Sequence, residues 1–440
     1  MPCHFDKFLK GEILNLNRSK TFKITLLLIF ILTIYFFIYQ HILYADINEI
    51  IPETSVTKPI QNKTFTDPVL KTSVTRITDA KKMGYSGIVP DYSKRQAWNC
   101  DETLFILKTC DGKTLLFDAK TNNFIKELQG VEGEDIFWHP TNSNFIYFNP
   151  DNTLYLFNIK NNTKEIVYKF NDFDFANTRA EGNLSNDGRF YAVAGQNYDQ
   201  KTSVVTFKEL QLLDIYSGKI ISKLKFPVKI ENFDWVSVSP KGNFIIVDYA
   251  DDISSRFHGV EVYDRNFNFL WQKSLGAGHS DLGIDDNGDE VLIMDIYDPE
   301  RNKTIIKKFS LKDGSATELL EVSQFFDLHI SCRNIFKPGW CFISTFDYVE
   351  RLTHSNESWL PFEDEIFALK LDGSGKTIRL AHHYSRRYSP ETPDSDTSVY
   401  FAEPHATVNR YGTKILFGSN WNTNIKDESG LDTYLMEFNF

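Results

Sequence analysis

Sulfur-containing residues are scarce in this chain of 440 residues, which has five cysteines and four methionines. The sequence has no Cys-X-X-Cys pair, no glycine-rich phosphate loop and no recognisable Ser-His-Asp order, so redox, kinase and hydrolase functions have no motif behind them. Acidic residues outnumber basic ones, and the formal net charge of −11 argues against nucleic-acid binding. A solvated acidic surface explains this charge, and an acidic docking face is the alternative.

Phenylalanine and tyrosine, in contrast, are abundant, with 37 and 20 copies in a chain that is 42% hydrophobic. This composition is sufficient for a large core and favours stacked β-sheets over helices. The length allows two or three domains, but a single all-β domain of this size is also ordinary.

One pattern recurs after residue 95: a polar turn, often with glycine, followed by an alternating run of β-branched and aromatic residues. Seven copies occur, at residues 99–107, 142–148, 185–193, 239–247, 285–293, 336–344 and 402–421. The glycines Gly188, Gly242 and Gly288 lie 54 and 46 residues apart, close to the period of a four-stranded propeller blade. The sequence therefore predicts an all-β, seven-bladed β-propeller over residues 72–440.

The seventh copy is incomplete, because the chain stops at residues 434–440, which would form the third strand of its blade. Residues 72–78, Thr-Ser-Val-Thr-Arg-Ile-Thr, match the fourth strands that follow other copies, such as residues 376–380. We therefore predict that residues 72–79 pair with the final blade and close the ring, which removes an open sheet edge.

The N-terminal region predicts a membrane anchor. Residues 1–23 are polar and contain five lysines and arginines, and an apolar stretch then extends over residues 24–45. This stretch has about the length of one membrane span, and the positive-inside rule places residues 1–23 in the cytoplasm and the propeller on the extracytoplasmic side. A transmembrane signal anchor is favoured, and a cleaved signal peptide ending at Ala45 is the alternative. Residues 46–71 are predicted to be an extended linker.

Cys332 and Cys341 flank residues 336–339 symmetrically and should face each other across a hairpin. A disulfide between them is a reasonable expectation in an oxidising compartment. This expectation depends on the predicted extracytoplasmic location.

The loops that lead into the innermost strands of a propeller surround one mouth of its central channel, where functional residues collect. Three consecutive blades each place one histidine at this position: His279, His329 and His405. Together with Glu403 or Asp281 they predict a site for one divalent metal such as Mn or Zn, because imidazole nitrogen and carboxylate oxygen suit these ions. Hydrogen bonding of the histidines to neighbouring loops is the structural alternative.

Equivalent positions in the blades carry the other candidate ligand-binding residues, which are Tyr92, Arg95, Trp235, Asp281 and Arg333. Tyr92 and Arg95 are suited to an anionic ligand, and pairing with acidic neighbours is the alternative. His382 and His383 follow the outermost strand of a blade, and both are predicted to lie on the surface.

Residues 239–247 and 407–419 resemble the WD40-like propeller repeats of TolB and of oligogalacturonate lyases. The resemblance covers residues 72–440 and implies the propeller fold. In the lyases, a Gln-X-X-His-X-His motif before the last repeat binds manganese together with a further histidine, and the matching positions here are Tyr400, Glu403 and His405. Only His405 matches, so the resemblance implies an altered metal site with His279 or His329 as a further ligand.

Lyase chemistry would need a metal that acidifies the proton next to a uronate carboxylate, a base that removes this proton, and cations that bind the polyanion. Lys94, Arg95 and Arg333 are the candidate cations, and no residue stands out as the base.

These features predict a membrane-anchored, extracytoplasmic propeller that binds a protein or carbohydrate ligand at this mouth as a module of the cell envelope. The alternative is a metal-dependent enzyme similar to polysaccharide (uronate) lyases. The two functions differ in one observable property, because only the enzyme requires a metal held by the three histidines.

Overall fold

The computed structural model describes residues 47–227, 230, 232–249, 257–347, 359–387, 400–422 and 429–439. The predicted cytoplasmic tail and membrane anchor, residues 1–23 and 24–45, lie outside the described residues. Within the described part of the chain, no helix has both the length and the apolar character needed to cross a bilayer.

The described residues form seven antiparallel sheets, which are the seven blades of the predicted all-β propeller. The first two strands of the chain are β1 (Thr64–Thr66) and β2 (Ser73–Arg76), and they are followed by a four-residue helix, α1 (Ala80–Met83). Blade one contains β3 (Ile88–Val89), β4 (Leu104–Thr109), β5 (Thr114–Asp118) and β6 (Phe124–Glu127). Blade two contains β7 (Asp135–Trp138), β8 (Phe145–Asn149), β9 (Thr153–Asn158) and β10 (Thr163–Lys169). Blade three contains β11 (Phe175–Asn177), β12 (Phe190–Asp199), β13 (Val204–Asp214) and β14 (Lys219–Lys225).

The next three blades follow the same order from the innermost to the outermost strand. Blade four contains β15 (Phe233–Val238), β16 (Phe244–Tyr249), β17 (Gly259–Asp264) and β18 (Phe269–Lys273). Blade five contains β19 (Ser280–Ile284), β20 (Glu290–Asp298), β21 (Lys303–Ser310) and β22 (Ala316–Ser323). Blade six contains β23 (Phe326–Ser331), β24 (Trp340–Asp347), β25 (Glu365–Lys370) and β26 (Thr377–His382). A short 3-10 helix (Tyr400–Ala402) then precedes β27 (Thr407–Val408), β28 (Lys414–Ser419) and β29 (Asp432–Glu437) of blade seven.

Burial along the strands follows their position in the blade. All eight residues of β24, a second strand, are buried between the neighbouring blades. In β14, an outermost strand, partly buried and exposed residues alternate, as expected for a strand with one solvated face. The turn glycines let the blades approach each other. A Cβ atom on Gly242, whose φ is +75°, would lie 2.6 Å from the ring of Phe190 in the preceding blade.

The ring is closed by strands from both ends of the propeller. Strand β2 pairs antiparallel with β29, the arrangement predicted for residues 72–79, and Val74 faces Met436. Both side chains are fully buried. Strand β1 then pairs with β2, so blade seven has five strands in the order β1-β2-β29-β28-β27.

Residues 47–71 pack against the propeller and are therefore not the extended linker that the sequence predicts. Ile51 is buried, and its carbonyl oxygen lies 2.9 Å from Nε2 of His382. The indole N–H of Trp421 donates a hydrogen bond of 2.8 Å to the carbonyl of Val56. These contacts join the segment to blades six and seven. They use backbone carbonyls of the segment, and such contacts leave no apolar pattern in the sequence from which they could be predicted.

The prediction of His382 and His383 on the surface is wrong, because this N-terminal segment covers the outer edge of blade six. Both imidazoles are fully buried. His382 contacts Ile51 of the segment, and Nε2 of His383 lies 2.9 Å from the carbonyl oxygen of Thr345.

Cys332 and Cys341 are two separate thiols, so the expected disulfide is not formed. Both belong to the apolar cluster that fills the space between blades five and six. Burial raises the pKa of the Cys332 thiol well above its usual value, and contact with Cys341 raises it further. Two buried, neutral thiols therefore serve as apolar packing here.

The innermost strand of blade one is interrupted. Strand β3 pairs with β4 at Ile88 and Val89, Trp98 bridges to Phe105, and the residues between them cross the central channel. We call residues 92–96 the plug segment. Its contacts reach blades three, six and seven: Lys94 pairs with Glu181, Gln96 Nε2 donates to the Arg333 carbonyl at 3.1 Å, and Thr407 Oγ1 donates to the Arg95 carbonyl at 2.6 Å.

The plug segment runs along the channel: Tyr92 contacts the rings of His329 and His405 at one end, and Gln96 donates hydrogen bonds to the carbonyls of Arg333 and Val408 at the other. We call the opening formed by the loops before the innermost strands the front mouth. The opening formed by the turns after these strands is the rear mouth. The three predicted histidines belong to the front mouth.

Candidate functional site

The structure brings the three histidines of blades five, six and seven together. His279 lies immediately before β19, His329 lies within β23, and His405 lies two residues before β27. The ring centre of His329 is 4.4 Å from that of His279 and 4.2 Å from that of His405. Repeats of similar length place equivalent positions side by side, which explains this convergence.

Glu403 joins two of these histidines. Its Oε2 atom lies 3.5 Å from Nε2 of His329 and 3.5 Å from Nε2 of His405. The three side chains are only 1–3% exposed, and each offers one ligand atom within 4.8 Å of the others. Ligands about 2.1 Å from a tetrahedral ion are about 3.4 Å apart, so this spacing fits a single metal ion.

Hydrogen bonding within the protein does not satisfy these imidazoles. Among the described residues, three ring nitrogens of these histidines have no hydrogen-bond partner: Nδ1 and Nε2 of His329, and Nε2 of His405. A buried polar group without a partner costs about 1–3 kcal/mol. Burial lowers the pKa of His329 well below its usual value, and the neighbouring His405 and His279 lower it further. His329 is therefore neutral at pH 7, the form in which imidazole binds metals.

The backbone at His405 is strained in a way that supports a specific side-chain position. His405 has a φ of +43°, which is uncommon for a residue other than glycine. The N–H of Gly418 donates a hydrogen bond of 2.8 Å to the carbonyl of Pro404 and fixes the loop at this point. Such conformations persist where the surrounding structure holds them, and they concentrate at functional sites.

His279 differs from the other two histidines because it has a carboxylate partner. Its Nδ1 atom lies 2.6 Å from Oδ1 of Asp327, and its backbone N–H donates to Asp295 at 3.1 Å. Burial opposes the charged imidazole, but the hydrogen bond that His279 donates to Asp327 prevails. The charges of Asp327, Asp295 and Glu403 add to this effect, and the pKa of His279 rises to about 9. His279 is therefore a cation at neutral pH and lies beside the proposed ligand set rather than in it.

Tyr92, Tyr400 and Arg387 complete the surroundings of this cluster. The Tyr92 ring centre lies 5.5 Å from that of His329 and 5.0 Å from that of His405, and the Tyr400 ring lies 5.4 Å from His405. Arg387 pairs with Oε1 of Glu403, the oxygen that does not face the histidines. Burial raises the pKa of Tyr92 well above its usual value, so its hydroxyl stays protonated.

Three of the other predicted ligand-binding residues do not join the cluster. Arg95 is buried and pairs with Asp135 at 3.0 Å. Asp281 and Arg333 pair with each other at 2.7 Å, also buried. Their charges are used within the protein, because a buried charge is stable only beside a partner.

Trp235 lies in the acidic half of the front mouth. The Lys94 ammonium lies 4.5 Å from the centre of its ring and pairs with Glu181. Asp248, next to Trp235 in the same blade, has its pKa raised well above the usual value by burial and by the neighbouring Asp234 carboxylate. Carboxylates therefore dominate this half of the mouth.

Sequence reasoning missed two residues of the cluster, Asp327 and Arg387. Asp327 precedes His329 by two positions on β23, so both side chains lie on the same face of the strand. An Asp-X-His pattern in a predicted innermost strand could have revealed it. Arg387 follows the end of β26 in a segment without periodicity, and no sequence signal identifies it.

Comparison with known proteins places the fold. No protein-family model matches the sequence, and no curated protein matches it as a relative. Among solved structures, the chain is similar to oligogalacturonate lyase from Vibrio parahaemolyticus, with a TM-score of 0.59 and 13% identity over 85% of this chain and 96% of that one. It is also similar to an oligogalacturonate lyase in complex with manganese, with a TM-score of 0.58 and 13% identity over 89% of this chain and 98% of that one. The chain is thus a seven-bladed β-propeller with the same fold as these oligogalacturonate lyases.

Proposed function

We propose that this protein is a metal-dependent enzyme that acts on uronate-containing polysaccharides by a lyase-like reaction at the front mouth. The observation that carries the proposal is the set of His329, His405 and Glu403, which is buried, spaced for one ion and without partners for the imidazole nitrogens that face it. Mn²⁺ or Zn²⁺ suits two imidazoles and one carboxylate.

Each residue of the cluster then has a distinct role. His329, His405 and Glu403 would hold the ion, which acts as a Lewis acid next to the uronate carboxylate. Asp327 fixes the orientation of the protonated His279 through Nδ1, which leaves the Nε2 proton for donation to the departing glycosidic oxygen. Arg387 pairs with Oε1 of Glu403 at the edge of the set, so among the arginines it replaces Arg95 and Arg333 as the candidate for binding substrate carboxylates.

The similar structures support the choice of substrate class. Both are oligogalacturonate lyases, and one of them contains manganese. The present cluster differs from the Gln-X-X-His-X-His motif at Tyr400 and Glu403. Glu403 supplies an anionic oxygen. The proposed site therefore has three protein ligands, two imidazoles and one carboxylate, where the motif with its further histidine has four.

The test is metal binding measured by elemental analysis and by calorimetric titration of the metal-stripped chain with Mn²⁺ and Zn²⁺. The unmodified chain is expected to bind about one equivalent. His405→Ala and Glu403→Ala are each expected to weaken binding by a hundredfold or more, because a ligand is lost. This loss exceeds the 10–100-fold effect of an outer-shell change. His139→Ala, in the turn of blade two, is the control and should bind as the unmodified chain does.

Activity forms the second part of this test. Oligogalacturonates should yield an unsaturated uronate product, detected by its ultraviolet absorbance, only with the metal-loaded protein. A protein that binds neither metal would rule out the proposed enzyme and return attention to the binding module predicted from the sequence.

We further propose, from the sequence alone, that residues 24–45 anchor the propeller to a membrane on its extracytoplasmic side. The apolar stretch and the preceding lysines and arginines support this proposal. Expression of the full chain and of residues 47–440, followed by membrane fractionation and external protease treatment, tests it. Equal amounts of both forms in the soluble fraction would exclude an anchor.

A further inference from the structure

Arg410 at the rear mouth is a buried cation without a partner. It lies in the turn between β27 and β28, and its side chain is only 7% exposed. Among the described residues, its Nε atom is fully enclosed and has no hydrogen-bond partner. The other strongly buried arginines each pair with a carboxylate: Arg95 with Asp135, Arg333 with Asp281 and Arg379 with Glu365.

The nearest acidic residue is already engaged. Both carboxylate oxygens of Glu102 accept hydrogen bonds, one from the backbone N–H of Arg410 at 3.1 Å and one from Nδ2 of Asn409 at 2.9 Å. Burial lowers the pKa of Arg410, Cys100 and Glu102 act in the opposite direction, and the neighbouring Arg333 lowers it further. Burial thus destabilises the charged form of this guanidinium. A charge without a partner is ordinarily left in water, so its burial here is unusual.

Arg410 and Arg333 line the same cavity at the rear mouth. Its volume is about 60 Å³, roughly four to six times the space that one water molecule needs. The remaining polar lining consists of the side chains of Gln96, Asn183, Ser185 and Asn186, and no aspartate or glutamate contributes to it. In a protein with 59 acidic and 48 basic residues, a cavity with two arginines and no carboxylate has a local charge opposite to that of the chain.

We propose that this cavity is a binding site for a small oxyanion, held by Arg410 and Arg333. The planar guanidinium fork matches phosphate, sulfate and carboxylate oxygens, and charge-assisted bonds of this kind are short and strong. Only one of the two arginines is neutralised within the protein, so a single anion completes the charge balance. The small volume favours a free anion or a terminal anionic group over a whole sugar.

This site is separate from the histidine cluster and does not rest on the proposed enzyme. Arg410 follows His405 by five residues, with the innermost strand of blade seven between them, which corresponds to about 16 Å of extended chain. The plug segment also lies between the two mouths. Loss of metal binding at the front mouth would therefore leave the prediction for the rear mouth unchanged.

Calorimetric titration of the full chain with inorganic phosphate and with sulfate, at constant ionic strength set by chloride, tests the proposal. We expect saturable binding of about one equivalent with a millimolar or lower Kd. Arg410→Gln should weaken binding about ten- to hundredfold, because one or two charge-assisted hydrogen bonds are lost. Lys337→Gln removes a positive charge from the same rim without touching the cavity, and it should leave the Kd unchanged.

A second measurement does not depend on the folding of any variant. Thermal unfolding of the unmodified chain should show that phosphate raises the Tm more than chloride does at the same ionic strength, because a ligand that binds the folded state stabilises it. Titration with glucose 6-phosphate separates the two sources of the anion: binding as tight as that of phosphate indicates a terminal group, and much weaker binding indicates a free anion. Absence of saturable binding, or equal binding by Arg410→Gln, would overturn the proposal.

Discussion

At the scale of single residues, buried histidines in this chain fall into two groups. In His279 and His382, nearby carboxylates outweigh burial, and the pKa is raised. In His329 and His383, burial prevails and lowers the pKa, to about 4 for His383. In the first group the carboxylates favour the charged imidazole. In the second group burial favours the neutral form, which is available as a ligand or hydrogen-bond acceptor.

His382 should make stability depend on pH. Burial opposes its protonation, but Asp67, 3.7 Å from Nδ1, and Glu365 raise its pKa. A raised folded pKa contributes stability that is complete below the unfolded value of about 6.5 and is lost as pH rises through the folded value. The unfolding free energy of the unmodified chain relative to His382→Gln, measured in urea, should therefore decrease from pH 6 to pH 9.

The control for this prediction is His139→Gln. Burial lowers the pKa of His139, so the contribution of this residue is present at high pH and is lost as pH falls. The two variants should thus show pH slopes of opposite sign. A difference for His382→Gln that stays constant with pH would contradict the prediction.

The sequence was sufficient to predict that His279, His329 and His405 meet, because repeats of similar period place equivalent positions on one rim. It was not sufficient to predict their partners. Asp327 could have been found from strand alternation, but Arg387 reaches Glu403 from an irregular segment. Arg95, Asp281 and Arg333 were predicted to bind a ligand, but they pair with charged residues of other blades. The sequence does not distinguish a charge that binds a ligand from one that pairs within the protein.

At the scale of elements, blade seven combines strands from the two ends of the propeller. Counting strands per repeat was enough to predict that residues 72–79 complete it. Strand β1 and the packing of residues 47–71 could not be predicted, because β1 has only one aromatic residue, Phe65, between two threonines. Phe65 packs against Tyr384 and Trp421, at ring distances of 6.4 and 5.3 Å, and these contacts exist only once the blade is assembled.

A charge placed in the closing strand should open the ring. Val74 is fully buried in β2, so Val74→Asp is expected to cost about 3 kcal/mol or more of unfolding free energy, the effect of an uncompensated buried charge. Val69→Asp makes the same change at a residue that is 40% exposed and should cost far less. Urea-induced unfolding followed by tryptophan fluorescence measures both. Equal losses for the two variants would show that β2 does not secure the closed ring.

At the scale of the whole molecule, the net charge of −11 and the acidic half of the front mouth oppose a polyanionic substrate at long range. The proposed enzyme must therefore attract uronates by its metal and Arg387 over a short distance. This balance is sensitive to salt, because exposed charges more than about 8–10 Å apart are screened at physiological ionic strength.

The KM for oligogalacturonates should consequently fall when ionic strength rises from about 10 to 150 mM, since screening weakens the repulsion more than the short-range contacts. Initial rates at several salt concentrations measure this effect, and an uncharged inhibitor of the same site would show no such change. A KM that rises with salt would mean that attraction, rather than repulsion, dominates the approach of the substrate.

Closure of the ring also sets an order in time. Arg76 of β2 pairs with Tyr434 of β29, so these partners are separated by 358 residues of chain. At about 5–20 residues per second, a ribosome needs about 20–70 s to make the second partner after the first. During this interval β2 is an unpaired edge strand on a nascent chain, and slow synthesis near the end of the message would prolong its exposure to proteases and to other nascent chains.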